Sequence, residues 1–518
     1  MSLARNVATV GSATLLSRLL GFLRDVGIAA ALGAGPLSDA YFAALQIPNL
    51  FRRLLAEGAL NSAFVPLWLR IKEEAGAAGA RRFGEEALGA MLLALGALAL
   101  LCMLFAPTVV HLLAPGFQIG GAREPLAIEY VRLSAPYIAI AGLVAVAASV
   151  LNAEGRVTAA AFGLVVFNGV FVAAVALVLV SGGAMSAATG MILSIAVVAA
   201  GVGQCILVGG ALLRLPASPL HPRFIPSAQT RRFFALVVPG VIAGGIPQLK
   251  LMVGAMVASS SPAAVSWLYY ANRLYELPLG VVSIAIAAVM TPLIAASVRS
   301  HESGAIAAAQ SRAFEIALGL ALPSSVAFAV LAESIAGGLF EHGAFGPRDT
   351  AAVAAALAAI SAGLPGHVLE KVLGAISFAH EDTRTPMFAA LAGLAAATAG
   401  ALMLFPTYSH VGVAAAIALS GWVGALLLGI ILLRRRWLRI DDEAQRRLPL
   451  LVLATLVMGL VILAAQKFLA AWNVAGSALT RVSILAILVV LGLATYGAML
   501  HLTKAVPLRE LITRIRRF

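Results

Sequence analysis

Four arginines stand inside stretches otherwise suited to hydrocarbon: Arg18 and Arg24 in LLSRLLGFLRDVG, Arg52 in IPNLFRRLLAEGALNSAFVPL and Arg273 in YYANRLYELPLG. A guanidinium at the bilayer centre costs at least ~2.5–3.5 kcal/mol on insertion scales, so such a residue marks a functional site with a partner to be named. Arginine stays protonated and presents a planar fork of donors, which suits a multiply charged anion such as a diphosphate. Ser17 lies seven residues before Arg24, and Arg18 seven before Asp25, so each pair shares roughly one helix face. Asn49, Arg52, Arg53 and Glu57 cluster within two turns. Arg53 and Glu57, at i and i+4, can neutralise each other, whereas Arg52 has no acid three or four residues away. Asp39, just after the GAGPLS turn, is expected either to cap the helix that begins there or to gate an outer mouth. The competing reading of the four arginines is structural ion pairing with Asp25, Asp39, Glu57 or Glu276, but these acids are too few to neutralise the whole set. The substrate-binding candidates are therefore Arg18, Arg24, Arg52 and Arg273 with Ser17 and Asn49; Asp25, Asp39, Arg53 and Glu57 are candidates for gating or charge pairing.

Apolar helices must position these residues. Apolar types fill 61% of 518 positions and charged types only 11%, about half the charge of an ordinary soluble chain. Fourteen apolar runs recur along the sequence, at 7–32, 38–68, 84–113, 125–151, 159–181, 185–213, 231–258, 264–298, 312–340, 350–379, 386–405, 411–436, 448–470 and 478–503. Each is long enough to cross ~30 Å of hydrocarbon as a helix, and barrel strands would alternate over only about ten residues. The expected class is an all-α integral membrane protein with 14 transmembrane helices. Pro239, Pro247, Pro278, Pro292 and Pro323 mark potential kinks. Lys250 and the Glu370–Lys371 pair are further charges within runs, expected to pair or to reach an interface.

The formal net charge of +13 is distributed with a strong bias. With the N-terminus inside, twenty-four of the 36 Lys and Arg fall in inner segments and four in outer ones. That is the positive-inside pattern, so both termini are expected in the cytoplasm and the basic loops are orientation signals rather than a nucleic-acid surface. No cleavable signal peptide is expected, because Arg18 and Arg24 interrupt what would be its apolar region. Cys102 and Cys205 are lone residues in apolar runs, with neither metal-ligand spacing nor a disulfide partner in view. No metal site is expected, and no GxxxxGK[ST] phosphate loop is present for direct ATP drive.

Sliding the chain against itself by 228 residues brings Ser38, Tyr41 and Ala43 onto Ser266, Tyr269 and Ala271, Phe117 onto Phe345, and Arg156 onto Arg384. Six spans per unit is an even number, so the two units would enter the membrane in the same direction, as parallel repeats do. The expected organisation is an N-lobe over 1–228, a C-lobe over 229–440 and an additional helix pair with a cytoplasmic tail over 441–518. Carriers built from such lobes hold substrate between them and rock to alternate access.

Five segments carry a family resemblance: SRLLGFLRD (17–25), SDAYFAALQIPNLFRRLLAEGALNSAFVP (38–66), YYANRLYELPLGV (269–281), LFEHGAF (339–345) and EDTRTP (381–386). Together they resemble the MurJ/MviN family of lipid II flippases, within the multidrug/oligosaccharidyl-lipid/polysaccharide exporter superfamily. The resemblance covers essentially the whole chain. It implies two six-helix lobes around a cationic cavity for a diphosphate-sugar head group, with the last two helices forming a groove for the polyprenyl tail. Arg18, Arg24, Arg52 and Arg273 match the family's cavity arginines, and Asp39 and Glu57 match its important acids. Asn272 stands where some members carry an acid before the arginine. The function implied is translocation of the lipid-linked peptidoglycan precursor from the inner to the outer leaflet of the cytoplasmic membrane, by a monomer without a cofactor. Membrane potential or a coupling ion would reset the cycle, and partners would be membrane lipids and cell-wall synthesis machinery. The alternatives are a flippase for another polyprenyl-diphosphate glycan and a cation-coupled multidrug exporter of the same fold. The exporter would favour acids rather than arginines in its cavity. An enzyme acting on lipid-linked phosphates would need convergent acids, a nucleophile or a metal cluster; the eight histidines are scattered instead.

Overall fold

The structure, a computed structural model, describes residues 3–504 apart from 57–58, 217, 220, 225–226, 301 and 471–477. Among the described residues the chain forms α-helices, one π-helical turn and no strand. The helices are α1 (Leu3–Leu32), α2 (Pro36–Ala44), α3 (Gln46–Ala56), α4 (Ala59–Leu104), α5 (Ala106–Leu113), α6 (Arg123–Ser134), α7 (Pro136–Ala153), α8 (Val157–Val180), α9 (Ala187–Leu212) and α10 (Ala228–Ala258). They continue as α11 (Ala264–Ala285), α12 (Thr291–Ser300), α13 (Ser303–Val330), α14 (Ala332–Phe340), α15 (Pro347–Ser361), α16 (Leu364–Ala379), α17 (Arg384–Arg434), α18 (Asp442–Ala470) and α19 (Ala478–Thr503). Nine helical stretches among the described residues are long and apolar enough to cross a membrane, making this a multi-pass membrane protein.

Local chemistry sets where helices start and break. Proline occupies a first-turn position in α2, α5, α7 and α16, where its missing N–H costs no helical bond. Ser186 and Ser227 cap α9 and α10 by accepting from the Thr189 and Thr230 amides. At ~1.5 Å per residue, α4 and α17 would run roughly 70 Å or more if straight, over twice the hydrocarbon thickness. Both break: α4 at Gly76 (φ 70°) and α17 at Ser409 (φ 50°). A π-helical turn at Ile286–Met290 separates α11, which contains Pro278, from α12, which has Pro292 in its first turn.

The chain divides into two compact units, Met1–Ser266 with His342–Gly346, and Trp267–Glu341 with Pro347–Phe518. In the first, α1 packs on α8, α4 on α7, α8 on α9, and α2 on α6. Close approach depends on small residues: a Cβ at Gly27 would lie 2.5 Å from Val175 Cγ1, and one at Gly201 would lie 2.6 Å from the Tyr137 ring. In the second unit α16 packs on α17 and α13, α14 on α15, and α18 on α13 and α19.

Candidate functional site

α1 delivers Arg24 to a polar node inside the first unit. Its Nε and Nη2 donate to Asp25 Oδ1 at 3.0 and 2.8 Å, and its Nη1 donates to Asn168 Oδ1 at 3.1 Å. The Arg24 side chain is 12% exposed and that of Asp25 is fully buried. Asn168 Nδ2 in turn donates to the Ser17 carbonyl at 3.0 Å and to Ser17 Oγ at 3.1 Å. The seven-residue spacing therefore does bring Ser17 and Arg24 to one partner, and that partner is on α8. Sequence reasoning missed Asn168; the signal was an amide alone in an apolar span, where interhelical hydrogen bonding is the expected role.

An aromatic wall backs this node. The Arg24 guanidinium stands 5.3 Å from the centroid of Phe171, and that of Arg52, from α3, stands 5.9 Å from Phe167. Phe167 packs against Phe171 and against Tyr137 of α7, and both guanidiniums lie within electrostatic reach of the Tyr137 hydroxyl. Two cations from α1 and α3 thus share a surface built by α7 and α8. Arg52 Nε also reaches Asn49 Oδ1 at 3.5 Å. Arg18, half-buried on α1, carries no hydrogen bond or ion pair among the described residues.

Arg53 and Asp39 find partners on other helices. Arg53 Nη1 donates to Gln248 Oε1 of α10 at 3.3 Å; Glu57, its expected partner, lies outside the described residues. Asp39 does not cap its own helix, whose N-cap is Gly35. Fully buried, it accepts from the Ala263 amide (2.7 Å), the Ser266 amide (3.0 Å) and Ser266 Oγ (2.5 Å), so it caps the first residues of α11, which up to Ser266 belong to the same unit. Arg123 of α6 completes the joint at 3.4 Å from Asp39 Oδ2, while donating to the Ser259 and Ser261 carbonyls. Ser38 and Ser266, equated by the 228-residue offset, are hydrogen-bonded to each other at 2.9 Å. Residues 342–346 close on the end of α1: a Cβ at Gly33 (φ +64°) would strike the Ala344 carbonyl, and one at Gly343 (φ +60°) would strike that of Ala30. Only glycine permits both the left-handed backbone and the contact.

Arg273, in the second unit, meets Glu276 at 3.5 Å, and Asn272 Nδ2 donates to the same carboxylate at 3.1 Å. Asn272 therefore acts as a hydrogen-bond donor where an acid was considered. Of the four arginines, Arg24 and Arg273 thus have a neighbouring carboxylate, and Asp39 is committed to Arg123 and α11. At helix ends, Glu154 holds Lys72 at 2.8 Å and Trp68 Nε1 at 2.9 Å, while Asp382 holds Arg435 at 2.5 Å.

The multi-pass helical fold is one that solved membrane transporters share. The chain superposes on "Lipid II flippase MurJ, inward closed conformation" with a TM-score of 0.79 at 23% identity, covering 97% of this chain and 99% of that one. It also matches an inward-facing multidrug resistance MATE family transporter of the MOP superfamily, with a TM-score of 0.66 at 17% identity, over 81% and 94% of the two chains. The family model described as "Lipid II flippase MurJ" matches residues 28–483. Among curated proteins, "Probable lipid II flippase MurJ" of Rhizobium meliloti (strain 1021) is 40% identical over 91% of this chain and 88% of its own length. "Lipid II flippase MurJ" of Burkholderia cenocepacia is 31% identical over 96% and 97%. The chain belongs to the lipid II flippase MurJ family.

Proposed function

We propose that this chain translocates lipid II, a polyprenyl-diphosphate disaccharide-peptide, from the inner to the outer leaflet of the cytoplasmic membrane by alternating access. The observation that carries the site assignment is the joint placement of Arg24 and Arg52 on the Tyr137–Phe167–Phe171 wall. A diphosphate can accept from guanidinium forks, while sugar and lipid carbon can pack on the rings. Arg18 and Arg273 complete the cationic set in this reading, with Ser17 and Asn49 as polar lining. Fourteen spans are arranged as lobes 1–228 and 229–440, with 441–518 supplying the tail groove; both termini are cytoplasmic and the working form is a monomer. The Asp39–Arg123–α11 joint acts as the outer gate, because breaking it frees the starts of α2 and α11 from each other. A potential of 100 mV supplies about 2.3 kcal/mol per charge moved, enough to bias an empty cationic carrier.

The test reconstitutes the full chain in vesicles with labelled lipid II and compares Arg24→Ala and Arg52→Ala with the unsubstituted protein. A charge-assisted hydrogen bond contributes about 1.5–3 kcal/mol, so each variant should bind lipid II roughly 10- to 100-fold more weakly and flip it correspondingly more slowly at low concentration. Unchanged binding and flipping in both variants, at equal folding, would remove the head-group role.

A further inference from the structure

The aromatic wall of the first unit also carries a hydroxyl. Tyr137 opens α7 directly after Pro136, and its ring is held on two sides. Phe167 lies 5.5 Å away, centroid to centroid. On the α9 side a Cβ at Gly201 would lie 2.6 Å from Tyr137 Cδ2 and 2.8 Å from Cε2, so glycine is what lets the ring lie this close. Tyr130 of α6 is seated on α9 in the same way, where a Cβ at Gly190 would lie 2.2 Å from its hydroxyl. The two hydroxyls differ in what they meet. That of Tyr130 donates to the Ala187 carbonyl at 3.0 Å, just as Tyr496 in the second unit donates to the Gly319 carbonyl at 2.8 Å. That of Tyr137, a residue only 1% exposed, has no hydrogen-bond partner among the described residues. Buried hydroxyls are nearly always satisfied, and one that is not stands unpaired at a free-energy cost.

The charges that act on this hydroxyl are the guanidiniums of Arg52 and Arg24. Each stands over a ring of the same wall, Arg52 over Phe167 and Arg24 over Phe171. A guanidinium carries N–H donors and no acceptor, so neither cation can take the phenolic proton. The group that answers a lone O–H beside two cations is an oxygen bearing negative charge, which can accept from the hydroxyl and from both forks. A sugar hydroxyl or a peptide amide fits less well. It is neutral, and it brings a donor of its own into a surround of donors.

We propose that Tyr137 is a further substrate-binding residue, whose hydroxyl donates to an oxygen of the diphosphate that Arg24 and Arg52 attract. The assignment rests on the reading of this node as the head-group site and adds a neutral donor to it. Both arginines end on rotatable stems, so turning a guanidinium onto the incoming anion uncovers the hydroxyl. A phenol bound to an anionic oxygen makes a short bond of about 2.5–2.7 Å from a rigid ring. The hydroxyl therefore fixes where one phosphate oxygen sits, whereas the flexible cations supply most of the charge.

Tyr137→Phe deletes the hydroxyl and leaves the ring against Phe167 and Gly201. In titrations of the purified full chain, this variant should bind lipid II and a sugar-free polyprenyl diphosphate more weakly by the same factor, roughly tenfold or more. Its melting temperature without ligand should equal or exceed the parent's, because no hydrogen bond is lost. Infrared difference spectra on adding the sugar-free diphosphate should show a shifted tyrosine C–O band in the parent and none in Tyr137→Phe. Affinities for both lipids within about threefold of the parent, or a loss confined to lipid II, would overturn the assignment. So would a lowered melting temperature in free Tyr137→Phe, which would mean a structural partner for the hydroxyl, or an unshifted C–O band in the parent. Arg24→Ala and Arg52→Ala, measured alongside, separate this residue from the site as a whole. Losses in those two without one in Tyr137→Phe remove the hydroxyl alone, whereas no loss in any of the three removes the head-group site.

Discussion

Replacing Asp39 with Asn removes one charge from a fully buried joint and alters little else. The carboxylate accepts from the Ala263 and Ser266 amides, from Ser266 Oγ and, at longer range, from Arg123. An asparagine oxygen can keep part of the Ser266 set, but its NH2 group would then face the Ala263 amide, donor against donor. Removing one partner of a buried charge pair costs about 3–5 kcal/mol, because the other charge is stranded. Arg123 is not stranded here, since the Ser259 carbonyl lies 2.9 Å away and the Ser261 carbonyl 3.4 Å away. The lower end, about 3 kcal/mol, is therefore expected, which raises the opened fraction of the joint on the order of a hundredfold. A cysteine at Ala264, fully buried at the start of α11, reports that opening through its reaction with a water-soluble thiol reagent, with Cys102 and Cys205 replaced by alanine. When reclosing outpaces labelling, the rate follows the opened fraction. A rate in Asp39→Asn within about threefold of the parent would refute the reasoning, since that corresponds to less than ~1 kcal/mol at the joint.

Asn168→Asp places a second carboxylate beside Arg24 without changing side-chain size. It should compete with phosphate and weaken lipid II binding by roughly tenfold or more, measured by titration of the reconstituted protein. The acids Asp382 and Glu154, at helix ends, supply a pH dependence. Burial raises the Asp382 carboxyl, but hydrogen bonds from the Thr385 hydroxyl and amide, Arg435 and the Arg384 amide outweigh it and bring its pKa down to about 2. A depressed value means this stabilisation is complete above the ordinary aspartate range near 4 and is lost as pH falls from about 4 toward 2. Because Arg435 is 43% exposed, solvent screening reduces the contribution to about 1 kcal/mol. The melting-temperature difference between the parent and Asp382→Asn should be constant at neutral pH, shrink as pH falls below about 4 and vanish only below pH 2. For Glu154, burial raises the carboxyl while Lys72 and Trp68 lower it further, so the same direction holds.

Helical elements were legible because span length and apolar content are local properties. The described residues of the apolar runs are largely helical, from 7–32 on α1 to 478–503 on α19, but several runs are split between helices, as 84–113 is between α4 and α5 and 350–379 between α15 and α16. Two breaks were legible as well: α4 turns at Gly76, between the runs 38–68 and 84–113, and α17 turns at Ser409, between 386–405 and 411–436 and just after Pro406. In the site, intramembrane arginines announced themselves by their desolvation cost, and the Ser17–Arg24 face followed from helical periodicity. Their partners did not. Asn168 is 144 residues from Arg24, and Ala263 is 224 from Asp39, so neither pairing has a local signature. The Arg53–Gln248 contact, 195 residues apart, likewise has no local signature, and Glu57, which periodicity offered to Arg53, lies outside the described residues.

In the proposed cycle this cationic, aromatic-backed node receives the diphosphate of the lipid. A structure of the full chain bound to lipid II locates both phosphorus atoms directly. The account expects phosphate oxygens within hydrogen-bonding distance, about 3 Å, of the Arg24 and Arg52 guanidiniums, with the adjoining sugar or lipid against Phe167 and Phe171. Phosphates bound elsewhere, with Arg24 still held by Asp25 and Asn168 and Arg52 still over Phe167, would contradict it.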